Sequence, residues 1–203
     1  MTDKIYRYLA LGDSYTIGEG VPLHESFPYQ AVQILRAKGH SFNAPEIIAK
    51  TGWTTGELIE HLSQTKLLEL YDFATLLIGV NNQYRAFSIE DYAKEFTFLL
   101  EEALRFTGGK SKHVMVMSIP HWQLTPFAFG RDKQKIEEEI NVFNNINKTI
   151  ANAFGVGYID IAPGTQELVI KPELITTDQL HYSALEHNRW ATAVVDGIVK
   201  ALA

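Results

Sequence analysis

The sequence predicts an α/β fold, a three-layer α/β/α sandwich with about five parallel strands, as one domain over residues 1–203. Three observations predict it. Apolar strand-like runs alternate with helix-period segments from end to end. The strand runs are too apolar to leave one face in water, which calls for a parallel sheet covered on both sides. A length of 203 residues, with 46% hydrophobic and 21% charged residues, is ordinary for one globular domain.

The first strand is expected at Tyr6–Gly12, where Leu9, Ala10 and Leu11 run into Gly12, Asp13 and Ser14. A helix over Ser26–Lys38 follows, then a strand at Glu46–Lys50 and a helix at Thr55–Leu68. The third strand, Phe73–Gly79, leads to a helix at Ile89–Arg105. Here Ile89, Tyr92, Phe96, Leu99, Leu100 and Leu104 recur at spacings of three and four, the stripe of a helix packed on a sheet. Ser88 and Asp91 open it as a near-capping box, with Asp where Glu is usual. "TGGKSK" at 107–112 is a surface turn. The fourth strand is His113–Ser118, followed by a long, aromatic and irregular stretch from Pro120 to Arg131. A helix at Lys133–Ala153, a strand at Gly157–Ile161 and a helix at Ala184–Ala201 complete the alternation. No internal repeat, low-complexity tract or linker interrupts it.

The totals exclude several functions. A net charge of −6, from 18 basic and 24 acidic residues, offers no basic surface for nucleic acid. No stretch is long and apolar enough to span a membrane, and the N-terminus lacks a signal sequence, so a cytoplasmic location is expected. The absence of cysteine excludes disulfides, thiolate catalysis and cysteine-ligated zinc.

In a doubly wound sheet, ligands bind outside the carboxyl ends of the strands, so functional residues should stand just after each strand. After the first comes Gly12-Asp13-Ser14. Asp13 or Ser14 is either an N-cap or, for Ser14, a nucleophile at the rim of the sheet. The lipase-type G-x-S-x-G elbow is absent, since Thr16 stands at its second glycine. After the second, Gly52 in "AKTGWTTGEL" either supplies a positive backbone angle before the Thr54/Thr55 cap or brings a bare N–H to a ligand oxygen. After the third, the asparagines of "LLIGVNNQYRA" are turn residues or fixed uncharged donors for an oxyanion. In "ITTDQLHYSALEH", Asp178 and His181 are three apart, so one turn can set the carboxylate against the imidazole as the orienter of a general base. The alternative is a turn cap beside a surface histidine. The other histidines have no such partner after a strand, although His121 lies in the aromatic loop. Together these elements supply what acyl transfer needs.

At this point the chain resembles the SGNH hydrolase superfamily, the GDSL-type esterases and lipases. "LGDSYTIGEG", "AKTGWTTGEL", "IGVNNQY" and "DQLHYS" are similar to its first, second, third and fifth blocks, in family order from residue 9 to residue 183. The resemblance implies a flavodoxin-like sandwich with a shallow open site, no metal and no cofactor. It implies Ser14, Asp178 and His181 as the triad, with the Ser14 and Gly52 backbone N–H groups and the Asn81 amide as oxyanion donors. Asn82 departs from the family, which usually has aspartate there, and reads as support for the loop.

The expected function is a serine ester hydrolase that works through an acyl-enzyme on a small-molecule ester. Short-chain or acetyl esters, such as O-acetylated carbohydrates, are the first expectation; a lysophospholipid or thioester is the second. Trp53, Trp122 and Phe127, with Phe129, are the candidate walls of a small pocket, or else aromatics that seal the loop onto the sheet. Activity should fall in acid, because only neutral imidazole accepts the serine proton, and Asp178 is expected to be buried beside it. The competing class is a non-catalytic binding module on the same scaffold. Against it, no G-x-G-x-x-G or P-loop lysine motif follows the first strand.

Overall fold

Five parallel strands lie in the order β2-β1-β3-β4-β5 in the computed structural model, which describes residues 4–162 and 171–203. They are β1 (Tyr8–Gly12), β2 (Glu46–Ala49), β3 (Phe73–Leu77), β4 (Val114–Met117) and β5 (Gly157–Ile159). The inner strands β1, β3 and β4 are buried along their whole length, which accounts for their unbroken apolar sequence; the edge strands β2 and β5 are half-buried.

The helices are α1 (Ser14–Ile17), α2 (Phe27–Ala37), α3 (Thr55–Gln64), α4 (Val80–Tyr84), α5 (Ile89–Phe106), α6 (Lys133–Ala153) and α7 (Ala184–Leu202). On one face α2 and α7 pack together through Phe27, Ala31, Val32 and Leu35 of one and Trp190, Val194 and Ile198 of the other. The opposite face carries α3, α5 and α6 in contact in that sequence. Tyr92, Phe96, Leu99, Leu100 and Ala103 of α5 are buried, as the stripe requires. The chain winds outward in both directions from β1 and β3. The switch point, where the carboxyl ends open a crevice, is therefore the gap between Gly12 and Leu77.

Element ends differ from the sequence expectation in small ways. Tyr6 makes only an isolated bridge to Phe42 ahead of β1. Helix α3 stops at Gln64, where the Thr65 hydroxyl turns back to the His61 carbonyl at 2.8 Å. The Pro120–Arg131 stretch contains two single turns, Trp122–Leu124 and Pro126–Ala128. Helices α1 and α4 are new: at four and five residues they are too short to display a period.

Candidate active site

Ser14 is the first residue of α1, separated from Gly12 at the end of β1 by Asp13 alone. So abrupt a turn needs Gly12 to have no side chain: a Cβ there would stand 2.1 Å from Thr16 Oγ1 and 2.3 Å from the Leu77 carbonyl oxygen. Asp13 is the N-cap, its Oδ1 accepting the Tyr15 N–H at 3.0 Å. Burial raises the Asp13 carboxyl to about 7, while the Tyr15 and Gly79 N–H groups draw it partly back. As the first helical residue, Ser14 carries an N–H that no intrahelical carbonyl can take.

The second loop reaches the site through Gly52, whose φ of +84° lies in the left-handed region. A Cβ there would meet only Arg85 Nη2 at 3.6 Å, so the backbone angle, rather than crowding within the protein, is what favours glycine. Thr54 forms a complete capping box with Glu57 at the start of α3. Asn81 of α4 and Arg85, the residue that caps its C-terminus, hold the loop from outside. Arg85 Nη2 donates to the Gly52 carbonyl at 2.6 Å, with Nη1 3.3 Å from Glu57 Oε2. Asn81 Nδ2 donates to the Trp53 carbonyl at 2.9 Å, which leaves a second amide hydrogen for the cavity.

Asn82 has a different task. Its Oδ1 accepts the Thr55 N–H at 3.0 Å and its Nδ2 donates to Thr55 Oγ1 at 2.7 Å; that hydroxyl in turn donates to Glu95. A buried amide thus ties α4 to the first turn of α3.

Asp178 and His181 share one turn. Asp178 Oδ2 lies 2.6 Å from His181 Nδ1. Its Oδ1 accepts the Leu180 N–H and His181 N–H, both at 2.9 Å, and the Thr176 hydroxyl at 2.7 Å. Gln179 permits this wrap by taking a φ of +65°. Asp178 is not buried as expected: its side chain is 40% exposed. Partial burial pushes its carboxyl up, but the His181 ring, the two N–H groups and the Thr176 hydroxyl hold it well below the usual carboxylate range. The His181 ring is buried, with the Tyr15 ring set edgewise against it at 5.6 Å.

Ser14, Gly52, Asn81 and His181 line one cavity of about 200 Å³. Its apolar wall is Val80, Tyr84, Trp122, Phe127 and Leu180. Two sequence-named wall residues lie elsewhere. Trp53 packs on His61, ring centroids 4.7 Å apart, and Phe129 is 91% exposed. Tyr84 was missed, although it stands one turn after Asn81 on the same short helix. Arg85 was missed as well, because nothing in its sequence context marks it as a clamp on Gly52. Among the described residues no cluster of His, Asp and Glu could hold a metal ion, and no helix is long and apolar enough to cross a membrane.

Sheet order and the position of the cavity put the protein among the doubly wound α/β proteins whose sites are built from post-strand loops. Within that class the chain belongs to the GDSL-like lipase/acylhydrolase family, whose model matches residues 10–189, and so to the carboxylic ester hydrolases. No curated protein sequence matches it. Solved structures with the same fold include TesA, at 14% identity and a TM-score of 0.73, covering 95% of this chain and 97% of that one. The psychrotrophic esterase EstA from Pseudoalteromonas sp. aligns at 15% identity and a TM-score of 0.72, covering 97% and 98%. The acetylxylan esterase Axe2 from Geobacillus stearothermophilus aligns at 17% identity and a TM-score of 0.71, covering 95% and 94%.

Proposed function

We propose that the protein hydrolyses short-chain or acetyl esters through a Ser14–His181–Asp178 triad and an acyl-enzyme. The observation that carries this reading is the 2.6 Å contact of Asp178 Oδ2 with His181 Nδ1, on a residue that faces the same cavity as Ser14, Gly52 and Asn81. A carboxylate at Nδ1 holds the proton there and leaves Nε2 free to accept the serine proton. Ser14 Oγ then attacks the ester carbonyl, and the charge that develops on its oxygen meets the Ser14 and Gly52 N–H groups and the spare Asn81 amide hydrogen. His181 returns its proton to the departing alcohol. Water, activated in the same way, releases the acid.

The size of the cavity favours a short acyl group. At about 200 Å³ it is little larger than a cavity of ~150 Å³ that accommodates benzene, and it must also hold the ester group itself. A pocket for a small acyl group suits an acetyl ester, and one structural neighbour is an acetylxylan esterase. An O-acetylated carbohydrate is therefore the preferred substrate class; the long acyl chain of a lysophospholipid or a fatty-acyl thioester would need more apolar surface than this cavity offers.

The test combines a fluorophosphonate probe with kinetics. The probe should add to Ser14, and Ser14→Ala or His181→Ala should each lower turnover about a thousandfold or more with the fold intact. Labelling of another serine, or retention of more than about a tenth of the activity in Ser14→Ala, would remove the nucleophile assignment. In an acyl series kcat/KM should peak at acetyl or butyryl. A steady rise to palmitoyl would move the substrate to the lipid class and leave the triad in place.

A further inference from the structure

A second cavity, of about 370 Å³, adjoins the first, and the two share Tyr84 and Trp122 as a common wall. The far cavity is lined in addition by Arg131, Lys135, Ile136 and Glu139. The shared wall is fixed at one end and held from outside at the other. Trp122 is buried; its indole N–H donates to Gln83 Oε1 at 2.9 Å, and Gln83 Nε2 donates to Glu139 at 2.7 Å. Tyr84 and Phe127, by contrast, are 47% and 38% exposed.

Arg131 lies over all three rings. Its guanidinium carbon is 5.0 Å from the Tyr84 centroid, 5.1 Å from Phe127 and 5.5 Å from Trp122, and Nη2 donates to the Tyr84 hydroxyl at 2.9 Å. A planar cation with a fork of donors suits this place: it attracts ring faces while one N–H fixes the phenol. Phe127 is tied to the site by its backbone too, its N–H donating to the Gln179 carbonyl at 3.1 Å, within the turn that carries Asp178 and His181.

We propose that Arg131 sets the acyl-length limit of the enzyme. It is a positioning residue that clamps Tyr84 and Phe127 against the immobile Trp122, and so keeps the site cavity closed off from the larger cavity behind it. The inference rests on the ester-hydrolase reading above and adds to it the element that limits chain length. Without the clamp the exposed phenol can swing away, and a longer acyl chain can pass into the space beyond. Each methylene that then leaves water is worth about fourfold in kcat/KM.

The experiment compares acetyl, butyryl, hexanoyl and octanoyl esters of one alcohol on the wild type, Arg131→Ala, Arg131→Lys and Tyr84→Phe. Arg131→Ala should raise the hexanoyl-to-acetyl ratio of kcat/KM by about fifteenfold, the gain of the two methylenes beyond butyryl, with acetyl turnover changed less than about threefold. Arg131→Lys keeps a cation near the rings but loses the planar fork, and should fall between Arg131→Ala and the wild type. Tyr84→Phe, which loses only the hydrogen bond, should fall between. If Arg131→Ala lacks a cooperative thermal transition, Arg131→Met, which keeps the packing stem, carries the same expectation. An unchanged ratio in folded, active Arg131→Ala or Arg131→Met overturns the proposal, as does an equal loss for every ester. Failure of the underlying reading looks different: the wild type would then neither turn over any ester nor take the fluorophosphonate probe.

Discussion

Replacing Asn82 with aspartate, the residue usual in the family, should destabilise this chain. The reason lies in the Thr55 hydroxyl, which has one hydrogen and already gives it to Glu95 while accepting a hydrogen from Asn82 Nδ2 at 2.7 Å. In Asn82→Asp one oxygen still accepts the Thr55 N–H, but the other faces the lone pairs of that hydroxyl. Two carboxylates then compete for one hydrogen in a place where Thr55 and Asn82 are both buried. An unsatisfied buried group of this kind costs about 1–3 kcal/mol. For a chain of this size that lowers Tm by about 2–12 °C. Adding Glu95→Gln should restore most of the loss, because the introduced amide can donate to the hydroxyl and release its hydrogen to the introduced carboxylate. Urea midpoints of the wild type, both single variants and the double variant form a cycle, with an expected favourable coupling of about 1–2 kcal/mol. The deficit of Asn82→Asp should also shrink in acid, since one added proton gives the pair a donor. Additive single effects, or an Asn82→Asp variant as stable as the wild type, would refute the hydrogen-count argument.

Other expectations follow from neighbouring contacts. Asn81→Ala should lower kcat by about a hundredfold with little change in KM, since its free amide hydrogen serves the oxyanion. Asn82→Ala should cost mainly stability, and equal losses of turnover at the two positions would misplace the donor. Burial raises Asp13 to about 7, so from pH ~4 to ~7 the fold keeps a proton that the unfolded chain has lost, and stability falls as pH rises. Burial, with the neighbouring His181, lowers His187 to about 3, so from ~6.5 down to ~3 the unfolded chain gains a proton that the fold refuses, and stability falls as pH drops. The two slopes, each about 1.4 kcal/mol per pH unit, oppose each other between pH ~4 and ~6.5. Relative to the wild type, Asp13→Asn should therefore lose stability toward acid and His187→Gln toward neutrality; parallel curves for all three proteins would contradict the shifts.

What the sequence made legible follows from where periodicity exists. Strands β1, β3 and β4 are buried on both faces, so each is a continuous apolar run, and α5 buries one stripe at helical spacing. The rule that functional residues follow strands brought out Ser14, Gly52 and the Asn81-Asn82 pair, the three-residue spacing of Asp178 and His181 brought out the carboxylate and imidazole, and only the family resemblance gave Gly52 and Asn81 their expected roles. The cavity wall was legible only in part: Trp122 and Phe127, in the loop after β4, line it as expected. Trp53 is adjacent to Gly52 in sequence, yet its ring leaves the site to pack on His61, while Tyr84 reaches the cavity from a single helical turn. Adjacency says nothing about the direction of a side chain in a loop, and a five-residue helix is too short to establish a period.

The paired readings of each motif as turn chemistry or as catalytic chemistry were posed as alternatives, and the structure gives reason to treat them as one. Asp13 caps α1, and that cap brings Ser14 to the rim of β1. Thr54 caps α3 through Glu57, and Arg85 grips both Glu57 and the Gly52 carbonyl. One oxygen of Asp178 closes a turn on the Leu180 and His181 N–H groups while the other meets the His181 ring. In each case a hydrogen bond that would be needed to finish a strand or begin a helix also fixes the position of a proposed reacting group. A neutral surface would gain nothing from a half-exposed carboxylate with this many donors, whereas a general base needs its orienting charge to stay ionised through the working pH range. The turn at Asp178 thus argues for chemistry because it is over-determined as a turn: fewer hydrogen bonds would have closed the loop, and the remainder keep the charge in place.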